Sequence, residues 1–158
     1  MLNNYWTFYN SESRNENLIE YSFSFKENFG TIKGRCDSIL IYDNGKVIIV
    51  DYKTSKKAKT KSQLKTDVQL GIYALFMLQK GIEIGDKIIK KLPDELIMLY
   101  LRDANPKVSI TFNEEELNDF RKNINDLAIK INCGNFDPCK GRYCDWCDYK
   151  RLICPEFN

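Results

Sequence analysis

A mixed α/β domain is what this sequence predicts, on three observations. Three apolar, β-branched segments, residues 18–26, 31–42 and 46–52, are separated by Glu27-Asn28-Phe29-Gly30 and Asp43-Asn44-Gly45, which reads as a three-stranded meander. A helical stretch over 62–79 is stopped by Gly81, and two further strands, 95–101 and 107–112, follow it. The final helix is the clearest element. Asn113 caps it with Glu116 at the capping-box position, Leu117, Phe120, Ile124, Leu127 and Ile131 recur along one face, and Gly134 ends it. That apolar stripe is expected to be core.

Composition bounds the chemistry. The 158 residues are 43% hydrophobic and 29% charged, and no repeat or Pro/Gly-rich linker divides them, so the whole of 1–158 is expected to be one domain. The longest apolar run, Ile72 to Leu78, is far short of the roughly 20 residues a membrane span needs, and the amino terminus is too polar for a signal peptide. A cytoplasmic protein without membrane contact is the expectation. Histidine is absent, which removes Ser-His-Asp and Cys-His hydrolases and imidazole-dependent zinc sites. Carboxylates, lysines and cysteines must carry any reaction. The net charge of +2 identifies no partner, but Lys56, Lys57, Lys59 and Lys61 crowd one short segment and form a candidate phosphate-facing patch. A solvated loop and helix face is the plainer reading of the same run.

The segment Val47-Ile48-Ile49-Val50-Asp51-Tyr52-Lys53-Thr54 sets a carboxylate and an amine on one face at the end of an apolar strand. A carboxylate can hold a divalent cation, and a neighbouring ammonium can position water and offset charge on phosphorus. Hairpin register sharpens the case. A three-residue loop closed by Gly45 pairs Tyr42 with Lys46 and sets Asp37 opposite Asp51, whereas a two-residue Asn-Gly turn would put Asp37 on the other face. An even-numbered loop at Asn28-Phe29 likewise pairs Glu20 with Asp37. Glu20, Asp37 and Asp51 then form one row, and like charges so aligned repel unless a cation sits among them. Hard oxygen ligands suit Mg or Mn.

The residues Gly34-Arg35-Cys36-Asp37, Ile49-Val50-Asp51-Tyr52-Lys53-Thr54 and Gln69-x3-Tyr73 together resemble the RecB/AddB-type nuclease domain of the PD-(D/E)XK superfamily. The resemblance implies a restriction-endonuclease-like core, a mixed sheet flanked by helices, and metal-dependent cleavage of DNA. It makes Asp37 and Asp51 metal ligands with the Tyr52 carbonyl as a third and has Lys53 position the attacking water, while Glu20 is added as a metal ligand from its register beside Asp37. Gln69 and Tyr73 then steady that lysine or the DNA strand.

Five of six cysteines fall within residues 133–158, a short Cys-rich lobe, in the pattern Cys139-x4-Cys144-x2-Cys147-x6-Cys154. Spacing alone allows zinc, a 2Fe-2S or a 4Fe-4S cluster. Cys144, Cys147 and Cys154 resemble the trailing cysteines of iron-sulfur members of the family, including the CRISPR-associated branch, which implies a structural 4Fe-4S cluster. The chain departs from that pattern in having no cysteine before Cys36, so Cys139 is assigned as fourth ligand with Cys133 in reserve. It also lacks the histidine that many relatives carry in an early helix. The implied substrate is DNA, single-stranded or with free ends, and the implied partner a helicase or a CRISPR adaptation protein. A DNA-binding or assembly module that keeps fold and cluster but not catalysis is the competing class, and a zinc-stabilised interaction domain a third.

Overall fold

Turn chemistry sets the register of the amino-terminal strands in the computed structural model, which describes residues 1–11 and 14–157. After a helix α1 (Leu2–Ser11) come β1 (Glu16–Glu27) and β2 (Gly30–Ile41), joined through Asn28-Phe29 with Glu27 paired to Gly30. β3 (Val47–Lys53) then runs antiparallel to β2. The loop between β2 and β3 is the three-residue one: Tyr42 N–H donates to the Lys46 carbonyl at 3.0 Å, and Gly45 takes φ 78°, a region open to glycine at no steric cost.

The next strand on β3 is parallel to it, which demands a long crossover. That crossover holds α2 (Lys61–Lys65), α3 (Val68–Gln79) and a small hairpin of β4 (Ile82–Ile84) with β5 (Lys87–Ile89). β6 (Glu95–Tyr100) returns beside β3, and β7 (Lys107–Ile110) pairs antiparallel with β6, giving the sheet order β1-β2-β3-β6-β7. The helix expected over 62–79 is therefore two. Thr60 caps α2 through a capping box with Gln63, and Asp67 caps α3 by accepting from the amides of Gln69 and Leu70. Two N-caps seven residues apart cannot lie inside one continuous helix.

Each face of the sheet is covered. Phe8 of α1 joins Leu40, Ile48, Val50, Ile97 and Leu99 on one side. On the other, Phe76 of α3 stacks on Phe23 with ring centroids 4.3 Å apart. α4 (Glu114–Asn132) begins with the expected reciprocal cap, Asn113 N–H to Glu116 at 2.9 Å and Glu116 N–H to Asn113 at 2.8 Å.

Residues divide into two compact units, Met1–Asn123 and Ile124–Asn158. The α4 stripe divides with them, and this corrects the expectation that it is core throughout. Leu117 and Phe120 are buried in the first unit, while Leu127 and Ile131 in the second are each 50% exposed. No described residue from 124 onward is buried, so there is no core for the later half of the stripe to join. That second unit contains the end of α4 and one 3-10 turn, Cys144–Trp146.

Gly71 of α3 shows how tightly the first unit is packed. A Cβ there would meet the Phe120 ring at 2.4 Å. Gly71→Ala should therefore destabilise the protein by about 1–3 kcal/mol through overpacking, despite alanine's better helix propensity. A urea unfolding midpoint equal to that of the parent would show that the ring yields freely.

Candidate metal centre at the end of the third strand

β3 is apolar up to Val50 and then delivers Asp51 into the protein rather than into water. Asp51 is 1% exposed. Its Oδ1 accepts from Gln69 Nε2 at 2.6 Å and lies 3.2 Å from the Tyr73 hydroxyl. Its Oδ2 is 2.6 Å from Lys53 Nζ but takes no hydrogen bond of acceptable direction. Residues two apart on a strand share a face, which is why the lysine can reach back.

Gln69 organises the group. The Asp67 cap fixes the first turn of α3, and from there the Gln69 amide nitrogen donates to Asp51 and to the Tyr73 hydroxyl at 2.7 Å. Its Oε1 accepts from Lys53 Nζ, also at 2.7 Å. Gln69 and Tyr73, four residues apart on one helix face, thus work as a pair. The Tyr73 hydroxyl is also 3.0 Å from the Arg35 carbonyl, which ties α3 to β2. Burial, the larger effect, pushes the Asp51 carboxyl above the usual range although Lys53 pulls it down. Burial, reinforced by Asp51, also holds the Tyr73 phenol well above its ordinary value. Tyr73 is therefore neutral and can act as a donor.

Asp37 stands where the register puts it. The ladder of β2 with β3 runs Ile41↔Val47 to Ser38↔Val50, and the next step sets Asp37 opposite Asp51. Regular pairing stops there. Hydrogen-bonded pairs alternate, so the Tyr52 amide would ordinarily meet the Cys36 carbonyl. Instead it donates to Asp37 Oδ2 at 2.9 Å. The two strands part at the carboxylates, leaving a fork with an acid on each prong.

Glu20 occupies its expected register position, since pairs on both sides of it keep the same arithmetic, but its carboxylate does not join the other two. Its φ of 54° is left-handed, the pair with Asp37 is missing from the ladder, and its Oε2 lies 2.6 Å from Arg35 Nε. The row of three acids is thus reduced to two. Sequence reasoning gave Arg35 no role, although it stands inside the Gly34-Arg35-Cys36-Asp37 motif. Cys36 is a buried core residue, its thiol pushed up by burial and by the two nearby aspartates.

In the loop beyond β3, Lys56 and Lys57 are exposed, Lys59 pairs with Asp67 at 2.7 Å, and Lys61 opens α2 with its side chain in solvent. Asp103 anchors that loop by accepting from the Ala58 amide at 2.7 Å. The cysteines of the second unit are all free thiols. Cys139 and Cys147 are exposed, Cys144 and Cys154 half-buried, and the Gly141 amide donates to Cys144 Sγ at 3.2 Å. Among the described residues no three histidine, cysteine, aspartate or glutamate side chains gather closely enough to hold a metal. The four thiols do not fit a cluster in this arrangement. The fork does fit a magnesium-like ion, because such an ion keeps several waters and asks for only one or two carboxylates. Asp51 Oδ2, whose one partner among the described residues is the Lys53 ammonium, is the ligand atom such an ion would meet.

The sheet and its flanking helices are those of a restriction-endonuclease-like α/β core. The chain matches the PD-(D/E)XK nuclease superfamily across residues 1–155 and belongs to it. Over 75 residues, 47% of this chain and 36% of the relative, it is 40% identical to the CRISPR-associated exonuclease Cas4 of Saccharolobus solfataricus. Its fold is similar to the crystal structure of SSO0001, with a TM-score of 0.52 at 23% identity over 88% of this chain and 60% of that one. The chain thus covers little more than a third of the curated relative's length. No helix among the described residues is long and apolar enough to cross a membrane.

A raised carboxyl pKa has a definite sign for stability. The native state holds the Asp51 proton more tightly than the unfolded chain does, so ionising Asp51 above its raised pKa costs stability, and that cost vanishes below the ordinary value of 3.8. In chelator at pH 7, Asp51→Asn should unfold at a higher temperature than the parent, with the gap closing as pH falls towards that value. Mg at a hundredfold excess over Kd should stabilise the parent by about 2.7 kcal/mol, and so raise its melting temperature, and leave Asp51→Asn unmoved. An equal Mg shift in both proteins would place the ion elsewhere.

Proposed function

We propose that the chain is an Mg- or Mn-dependent deoxyribonuclease that hydrolyses phosphodiester bonds in single strands or at free ends, in DNA repair, recombination or CRISPR adaptation. One observation carries the reading. Asp51 is a buried carboxylate with one oxygen hydrogen-bonded and the other left to an ammonium and an incoming cation. A second carboxylate, Asp37, stands across the opened ladder from it, so two acids face one gap beside that ammonium.

The side chains divide the work. Asp37, Asp51 and the Tyr52 carbonyl are the ligands proposed for the divalent ion, which when bound supplies the positive charge that neutralises the scissile phosphate and activates water. Lys53 holds the attacking water and offsets charge as the phosphorus–oxygen bond to the leaving group breaks. Gln69 fixes the lysine and the aspartate relative to one another through its two ends. Tyr73 holds Gln69 and stays protonated. Lys56, Lys57 and Lys61 supply sequence-independent contacts to phosphate, while Lys59 braces the α3 cap. A helicase or a CRISPR adaptation protein is the partner this reading implies.

Labelled single-stranded DNA tests the reading directly. Mn should support cleavage, a chelator should stop it, and Lys53→Ala should slow it by about 10²- to 10⁴-fold, the range for removing a positioned proton-transfer group. Activity within a factor of two of the parent in Lys53→Ala would overturn the site. The histidine-free sequence is the one observation favouring a non-cleaving DNA-binding module. Parent protein that binds the strand and never cuts it would establish that alternative.

We further propose that Cys139, Cys144, Cys147 and Cys154 take up a 4Fe-4S cluster, which requires the lobe to close around them. Support comes from the lobe's lack of any core: Trp146, Leu152 and Ile153 are 88%, 71% and 72% exposed. A segment so placed gains little from apolar burial and needs a metal or covalent link to order it. Anaerobically purified parent should carry iron and acid-labile sulfide and be coloured, and Cys147→Ala should be colourless with a protease-sensitive carboxyl terminus. Colourless parent holding one zinc ion would replace the cluster with zinc.

A further inference from the structure

The crossover that leaves β3 changes direction between α2 and α3, and a notch lies at the bend. Lys59 of the preceding loop, Gln63 of α2, Thr66 and Asp67 between the helices, and Val68 and Gln69 at the start of α3 surround a hollow of about 570 Å³. That volume falls within the roughly 300–1,000 Å³ range of sites that bind small ligands. Gln69 joins the hollow to the acids. Its side chain bonds Asp51 Oδ1 at 2.6 Å and Lys53 Nζ at 2.7 Å, so a single residue separates the notch from the proposed metal centre.

The walls differ in what they offer a ligand. Gln69 has both ends of its amide committed to Asp51, Lys53 and Tyr73, and contributes shape alone. The amides at the start of α3 are spent as well, because Asp67 accepts from Gln69 and Leu70, and the Lys59 ammonium pairs with Asp67 at 2.7 Å. The notch is therefore not built for an anion.

What remains is neutral. Val68 presents an apolar side chain, 50% exposed and outside the core. Gln63 has its Oε1 fixed by the Thr60 amide at 2.9 Å in the α2 capping box, which holds its Nε2 in place with no acceptor among the described residues. The Thr66 hydroxyl donates to the Gln63 carbonyl at 3.2 Å and keeps its own lone pairs. An apolar surface with one amide donor and one hydroxyl acceptor complements a flat heterocycle rather than a phosphate. Every nucleobase has a face to lay on Val68 and an acceptor on its edge.

We propose that this notch receives the base of the nucleotide next to the phosphate at the Asp37–Asp51 fork, so that the centre takes a strand whose bases are unpaired. The inference deepens the nuclease reading and rests on it for what occupies the fork. A base within a duplex cannot enter a hollow between two helices without first leaving its stack and its partner, whereas a single strand offers its bases already free. One apolar contact and one donor do not tell the four bases apart. The notch selects strandedness, not sequence.

The test separates base from phosphate. In chelator, so that no strand is cut, fluorescence anisotropy compares an oligothymidylate with an abasic deoxyribose-phosphate chain of equal length and charge. The parent should bind the oligothymidylate more tightly. Val68→Ser should weaken the oligothymidylate by roughly three- to tenfold, the effect of losing a half-covered valine contact, and leave the abasic chain unmoved. Val68→Ile should keep the parent's preference. Ile88→Ser, which removes another exposed apolar side chain on β5, should leave both affinities alone, and a blunt duplex should bind the parent and Val68→Ser alike. A parent indifferent to the bases, an equal fall for both chains in Val68→Ser, or the same fall in Ile88→Ser overturns the subsite. Circular dichroism of the variants excludes unfolding as the cause of a fall. Parent protein that prefers the oligothymidylate through Val68 yet cuts no DNA with Mn would end the nuclease reading and leave the base subsite standing.

Discussion

A carboxylate kept almost wholly from water at the end of β3 is the constraint around which the first unit is arranged. Asp51 is ionised at neutral pH only at a cost, and its neighbours are what reduce that cost. Gln69 and Lys53 are fixed on each other, Gln69 is aimed by the Asp67 cap, and the Lys53 carbonyl is held by the Leu101 amide at 2.9 Å. The cap, the parallel β3–β6 pair and the long crossover can all be read as means of bringing an amide and an ammonium to one buried acid. That acid gains nothing from folding by itself, as would be expected of the metal ligand proposed above.

The fork between β2 and β3 follows from the same demand. A regular ladder would bring two carboxylates directly across from each other in a low-dielectric setting. Letting the Asp37 side chain take the Tyr52 amide parts the strands and satisfies the donor at once. Glu20 shows the alternative outcome one strand further out: in a left-handed conformation with Arg35 at hand, it leaves the acidic row for an ion pair in solvent.

Local turn chemistry made much of this legible. The Asn28-Phe29 turn and Gly45 fix two registers, and those registers align Asp37 with Asp51 because a strand alternates with period two. The Asn113–Glu116 box was readable for the same reason, since a cap is a contact between near neighbours in sequence. The elements that escaped are those decided by tertiary packing. α1 carries Asn, Thr and aromatic residues of modest helix propensity and is held by Phe8 against the sheet. The break at Asp67 was visible in principle, because an aspartate two residues ahead of a helical amide is a cap signal, but the apolar period runs across it. The left-handed Glu20 and the lack of cover over the end of α4 have no local signature at all.

The Tyr52 amide has a consequence of its own. It is a backbone proton in the middle of a strand whose acceptor is a side-chain carboxylate. Its magnetic environment and its exchange with solvent therefore depend on the electron density of Asp37 as well as on the integrity of the sheet. A cation bound at Asp37, as proposed above, would polarise that one bond, and the strand would then carry within its own backbone a nucleus that senses it. A single amide resonance would thus make cation binding at the proposed site observable in solution without substrate or turnover.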